Sequence, residues 1–225
     1  MPSPHLSLTS IALLALLGLS IGSFINVVAY RLPRMLLDDS YTANLSFPRS
    51  HCCGCQTQLC WYQLLPVISY LMLRGRCHYC QVSIGLQHPL VELLCGILAV
   101  SVVIHYGANV SSLLILTYGC ALLTLLLIDA KHYLLPDTIT LPLLWLGLLF
   151  NISGSITSLP NAVLGAATGY SFFWLLHYAY LCLRKKNGLG LGDAKLCAAI
   201  GAWVGVWQLP MMICIAAISA LLFAG

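Results

Sequence analysis

Apolar residues run through this chain in long stretches rather than at the spacing of a half-exposed surface helix. In order they are Leu6 to Tyr30, Pro89 to Tyr106, Ser111 to Ile128, Ile139 to Ile152, Ala162 to Leu183, Leu196 to Trp207 and Leu209 to Gly225. A helix needs about 20 apolar residues to cross a bilayer. A helix is also the form in which such a stretch satisfies its own backbone groups in lipid. The pattern predicts an all-α polytopic membrane protein with about seven transmembrane helices. The last two stretches are the shortest, and the sixth is short enough to lie tilted or partly in the interface. Only Leu32 to His88 forms an extended polar region. The chain is therefore divided into a first transmembrane helix (1–30), an insert (31–88) and a helical bundle (89–225).

Composition agrees with the pattern. Hydrophobic residues make up 60% of the chain and charged residues 7%, with a mean hydropathy of +0.92. Soluble domains carry about a quarter charged residues, so a water-soluble fold is excluded. The formal charge of +4 matters less than its distribution. Arg31, Arg34, Arg49, Arg74 and Arg76 fall between the first and second stretches, Lys131 between the third and fourth, and Arg184, Lys185, Lys186 and Lys195 between the fifth and sixth. In this topology all ten basic residues lie on one side. The positive-inside rule makes that side cytoplasmic and puts the N-terminus outside. Topology and membrane lipid account for the basic residues, and no nucleic-acid partner is needed. The first stretch lacks a basic leading region and is followed by Arg31, so it is expected to remain as an anchor rather than to be cleaved as a signal peptide.

The insert contains "HCCGCQTQLCWYQLLPVISYLMLRGRCHYC". Cys52 and Cys55 form one CxxC pair, and Cys77 and Cys80 form another. About 20 residues separate the pairs, the spacing of a four-cysteine zinc ribbon. Zinc takes four tetrahedral ligands, and two tight turns supply two thiolates each; Gly54 and Gly75 suit such turns. Two disulfides or a redox dithiol are the competing readings, and a cytoplasmic location disfavours the first. Cys53, Cys60, His51 and His78 are spare potential ligands. Cys95, Cys120, Cys182, Cys197 and Cys214 lie in apolar stretches, where cysteine packs as a small hydrophobe. The "WYQLLPVISYLMLRG" segment is too short and too punctuated for a span; it is expected to rest an apolar face on the membrane or on the bundle.

Six acidic residues exist. Asp38 and Asp39 belong to a polar loop. Asp137 follows Pro136 and suits a helix N-cap. Glu92 lies one turn inside the second stretch, where an acid needs a partner or a polar cavity. Asp129 closes the third stretch and Asp193 opens the sixth, at the same expected membrane face. Two carboxylates at one depth on separate helices can meet and share one proton. Such a pair hydrolyses peptides: one carboxylate takes a proton from water while the other donates one to the scissile carbonyl. Gly190 and Gly192 would let a substrate backbone or a neighbouring helix come close. The plainer reading makes Asp193 a helix cap and pairs Asp129 with Lys131 or Lys195. The glycines of "GLGLGDAKL" do not form a phosphate loop or dinucleotide fingerprint: no strand precedes them, their spacing is not GxGxxG, and no GK[ST] follows.

Taken together, these stretches resemble the prepilin peptidases, polytopic aspartic proteases of bacterial inner membranes. "GSFINVVAYRLP" (Gly22 to Pro33), the two CxxC pairs flanking "WYQLLPVISYLMLRGRC", "IDAKHYLLPDTITLPLLWLGLLFN" and "GLGLGDAKL" resemble that family's blocks, in order. The resemblance implies Asp129 and Asp193 as the catalytic pair, with Asp137 in support; Glu92 and Lys195 are further candidates near the site. It implies structural zinc on Cys52, Cys55, Cys77 and Cys80. The implied substrates are type IV prepilins or type II secretion pseudopilins, cut behind a basic leader at the cytoplasmic face beside the assembly machinery. Many members then methylate the new N-terminus with S-adenosylmethionine; no methyl-donor pocket is legible in this chain. Cys53 stands where the family often has proline, and Gln87-His88-Pro89 where it usually has arginine-tyrosine-proline. The apolar run is still in progress at Gly225, where family members continue into a helix with a Pro-Phe-Gly-Pro-like segment. Two other classes remain: a transporter or assembly factor with proton-coupling aspartates, and a membrane thiol oxidoreductase using the CxxC pairs.

Overall fold

A computed structural model describes residues 7–38, 40–42, 44–184 and 190–224. Asp39, Lys185, Lys186, Gly188 and Gly225 lie outside the described residues. Eight helices are present among those described: α1 (Leu8–Leu37), α2 (Ile68–Met72), α3 (Gln87–Tyr106), α4 (Val110–His132), α5 (Asp137–Phe150), α6 (Leu159–Arg184), α7 (Leu191–Val204) and α8 (Leu209–Ala224). Short 3₁₀ turns occur at Trp61–Leu64 and Asn151–Ser153. Extended pairing among the described residues is limited to two isolated bridges, His51 with Gln58 and Arg76 with Ser83. The all-helical class is as expected. The chain divides into two compact units, Met1–His132 and Tyr133–Gly225.

The first unit contains the three helices long and apolar enough to cross a membrane, α1, α3 and α4. Ser7 caps α1 by accepting the Ser10 N–H at 3.2 Å, filling one of the orphan donors of a helix start. Gly18 and Gly22 form a small-xxx-small step on α1 that lets α3 approach backbone to backbone. A Cβ at Gly18 would meet the Cys95 carbonyl at 2.5 Å, and one at Gly22 would meet the Glu92 Cα at 2.6 Å. Ile25, Val91 and Cys95 form the core beside that step, with Ile21, Cys120, Leu123 and Leu127 packed on it. Asn109 starts α4, its side chain accepting the Ser112 N–H at 2.9 Å.

Helix α1 continues past Tyr30 to Leu37. Arg31 is only 5% exposed and donates to the Asn44, Leu45 and Pro48 carbonyls at 2.8, 3.4 and 2.7 Å. An Arg fork can hold several acceptors at once, so this residue folds the following loop back onto the helix end. Arg34 lies 3.5 Å over the Tyr30 ring. Asp38 is tied to its own loop, its Oδ1 accepting the Ser40 N–H at 2.9 Å and the Ser40 hydroxyl.

In the second unit α5 and α7 have 14 residues each, short of the length that spans a bilayer, and α8 takes up the last 16 described residues. Helix α6 has 26, but polar and aromatic residues such as His177 and Tyr178 dilute its apolar character. Among the described residues, three of the seven stretches, α1, α3 and α4, have the length and apolarity of a span. Local chemistry sets the short ends: Pro136 precedes α5, and Gly205, with φ +82°, stops α7 in a conformation that favours glycine. Gly165 of α6 and Gly201 of α7 meet backbone to backbone. Asn151 is fully buried and donates to the Ala202 and Trp203 carbonyls at 2.9 and 3.1 Å. Its Oδ1 accepts the Ile156 and Thr157 N–H groups. The Trp203 indole N–H donates to the Leu143 carbonyl at 2.9 Å, closing α5 on α7.

Candidate metal centre and catalytic aspartates

Cys52, Cys55, Cys77 and Cys80 converge on one point in the first unit, and their four sulfurs lie within 4.8 Å of one another. The Cys52 and Cys80 sulfurs are 3.7 Å apart. A metal–sulfur distance of about 2.3 Å gives a tetrahedral edge of about 3.8 Å. The cluster could therefore hold a metal ion without rebuilding its loops. Two matched turns produce it. Cys52 N–H donates to Thr57 O and Gln56 N–H returns to Cys52 O; Cys77 N–H donates to Val82 O and Gln81 N–H returns to Cys77 O. The turn residues are Gln56 and Gln81, both with φ 57°. The two knuckles repeat at an offset of 25 positions (52 to 77, 56 to 81). No repeat is evident in the sequence as a whole, but the signal is there as C-x-x-C-Q occurring twice. Gly54 does not supply the turn; Gly75, with φ +69°, leads into the second knuckle beside Tyr70.

The electrostatics suit a cation. Hydrogen bonds from the Thr57 side chain and backbone hold the Cys55 thiol down to about 6. N–H groups of Cys80 and Tyr79 lower the Cys77 thiol. The Val82 N–H favours the Cys80 thiolate, but burial and the neighbouring Cys52, Cys55 and Cys77 thiols outweigh it and push Cys80 up to about 11. Four thiolates at this spacing repel one another, and a divalent ion is what relieves that repulsion. Convergence on a single centre also distinguishes the site from two separate redox dithiols. His51, Cys53, Cys60 and His78 are not part of the four-sulfur cluster.

Glu92 has a defined partner. It is 8% exposed, and its Oε2 accepts the Val67 N–H at 2.8 Å. Val67 has φ +58°, which is strained for a β-branched residue, and Ile68 N–H donates to Pro66 O at 2.5 Å. Pro66-Val67-Ile68 is thus a γ-turn whose central N–H is taken up by a carboxylate from α3.

Asp129 lies half-buried in the last turn of α4, in the first unit, with Lys131 and His132 following it. The second unit holds the rest. Asp193 is half-buried in the first turn of α7, three residues after the Gly190 N-cap, where a helix favours negative charge. Gly190 leads the helix, and Gly192 faces Leu135, whose Cβ would be 3.1 Å from an added Cβ. Asp137 is the first residue of α5 rather than its cap. Its carboxylate receives Lys195 Nζ at 2.6 and 2.8 Å. Lys195 therefore pairs with Asp137.

Residues 16–106 match the bacterial peptidase A24 N-terminal domain, and residues 115–225 match the type IV leader peptidase family. The chain belongs to the type IV leader peptidase family. A prepilin leader peptidase/N-methyltransferase of Neisseria gonorrhoeae is 43% identical over 97% of this chain and 82% of its own length. Proteins of the same name from Burkholderia pseudomallei strain 1026b and Pectobacterium carotovorum subsp. carotovorum are 41% and 42% identical, over 93% and 92% of this chain and 74% and 80% of theirs. No solved structure matches the chain. Family membership favours a peptidase over the transporter and thiol oxidoreductase readings.

Proposed function

We propose that this chain is a prepilin leader peptidase of the bacterial inner membrane, an aspartic endopeptidase that removes the leader from type IV prepilins or type II secretion pseudopilins. The observation that carries the reading is the likeness to the Neisseria gonorrhoeae relative along nearly the whole chain. Asp129 and Asp193 are the proposed catalytic residues. One carboxylate, ionised, takes a proton from water as the oxygen attacks the scissile carbonyl. The other, protonated, donates to the carbonyl oxygen and later helps the amine leave. The N-terminus lies outside, and the cysteine insert and both aspartates lie on the cytoplasmic side, which the distribution of Lys and Arg supports.

Zinc is the proposed ion of the four-cysteine centre, since an all-thiolate tetrahedral set suits it. When bound, it cross-links the two knuckles and stays out of the hydrolytic step. The relatives' names also carry N-methyltransferase activity, for which S-adenosylmethionine would be the donor. A cavity of about 620 Å³ lined by Asp38, Tyr41, Asn44 and Phe47 does not fit that donor. It is open, its carboxylate is already engaged by Ser40, and none of the described residues lining it is a buried polar group of the kind that orients a cofactor.

Purified protein in lipid, mixed with a prepilin, tests the reading. Asp129→Asn and Asp193→Asn should each lower cleavage about a thousandfold or more with the metal content unchanged. Retained cleavage in both variants would sink the assignment. Metal analysis should find about one zinc per chain, and the product mass reports any added methyl group.

A further inference from the structure

The Trp61 to Arg76 segment carries an exposed apolar surface. Trp61 and Met72 are each 77% exposed and Leu71 is 69% exposed, with Tyr62, Leu64 and Ile68 also exposed. Water would ordinarily drive such a cluster inward. The segment contains no acidic residue and ends in Arg74 and Arg76, both exposed.

Its depth is fixed by one hydrogen bond. Val67 is held by Glu92, five residues into α3, a helix long and apolar enough to span. Five residues are about 7.5 Å along a helix, and helical side chains tilt toward the N-terminus. Val67 and the short helix α2 after it are thus held level with the first turns of a span. Aromatic residues flanked by apolar ones and followed by arginines are the composition of a bilayer interface.

We propose that Trp61 to Arg76 is an interfacial lipid-binding element. Trp61, Ile68, Leu71 and Met72 enter the boundary between headgroups and acyl chains of an anionic bilayer, and Arg74 and Arg76 contact lipid phosphates. Glu92 sets the depth by clamping the γ-turn at Val67.

Photo-crosslinking in a phosphatidylethanolamine–phosphatidylglycerol bilayer tests this. Benzoylphenylalanine replaces Leu71 in one variant and Met72 in a second, each kept only if its metal content is unchanged. Leu13, exposed on α1, serves as the lipid-facing reference, and Tyr79, in the second knuckle, as the water-facing one. The expected result is a lipid adduct at Leu71 or Met72 within about threefold of the Leu13 yield and about tenfold above that at Tyr79. Lipid adducts no more abundant than at Tyr79, or crosslinks to a second copy or to a prepilin in their place, overturn the proposal.

Discussion

Lys195 Nζ lies 2.6 Å from an Asp137 carboxylate oxygen and ties the second turn of α7 to the first turn of α5. Both partners are partly exposed, Asp137 by half. Such pairs contribute about 0–1 kcal/mol. Lys195→Ala should therefore lower stability by no more than about 1 kcal/mol and reduce prepilin cleavage only a fewfold, against the near-complete loss expected for Asp193→Asn. Thermal unfolding and cleavage rates, compared at low and high salt, check this. A loss in Lys195→Ala as deep as in Asp193→Asn would make the lysine part of the chemistry.

Metal retention should fall as pH falls through about 6. The Cys55 thiol is lowered from its ordinary 9.0 to about 6. A lowered thiol favours the folded, thiolate-bearing knuckle above the unfolded value. That contribution shrinks as pH drops below 9.0 and is gone once pH passes below about 6. Protonation of the thiolates also competes directly with the ion. Zinc release followed with a chromogenic chelator across a pH series reads it, and Thr57→Ala should move the release midpoint upward, because the hydrogen bond that lowers Cys55 is removed. An unmoved midpoint would separate Cys55 from the titration.

At Glu92 the two obvious replacements should part company. Glu92→Gln keeps an oxygen that can accept the Val67 N–H. Glu92→Leu leaves that donor without a partner, at a cost of about 1–3 kcal/mol, and frees a strained turn. Unfolding temperature and protease nicking near Pro66 should show the leucine variant impaired and the glutamine variant close to the parent. Equal behaviour of the two would mean that the hydrogen bond contributes nothing.

Gly201 has no room for a methyl group, because the obstructing atoms are the Gly165 backbone. Gly201→Ala should destabilise by about 1–3 kcal/mol through overpacking. Gly85 has nothing within 4 Å of an added Cβ, and Gly85→Ala should be neutral or slightly stabilising. The difference between the two in chemical or thermal unfolding is the measurement.

Asn151 is buried and makes four hydrogen bonds to backbone. Asn151→Leu should destabilise the second unit by several kcal/mol, since each orphaned buried group costs about 1–3 kcal/mol. Asn151→Asp keeps the acceptor side but loses the two donor contacts, and should fall between leucine and the parent.

Much of this protein was determined by its sequence alone. Long apolar runs specify helices wherever backbone groups must be satisfied without water, so the helical class and the spans of α1, α3 and α4 follow from residue order. Two CxxC pairs about 20 residues apart specify a four-thiolate cluster, because tight turns leave few other places for the sulfurs. The ordered blocks around Asp129 and Asp193 were enough to indicate the family, and the likeness to known relatives bears that out. Tertiary structure decided what no linear pattern encodes: that Lys195 pairs with Asp137, that Arg31 gathers the carbonyls of a following loop, that the knuckles turn on Gln56 and Gln81, and that Glu92 clamps Val67. Each of these is a contact between side chains and backbone brought together by packing. Sequence spacing limits such partners, but only the folded geometry selects among them.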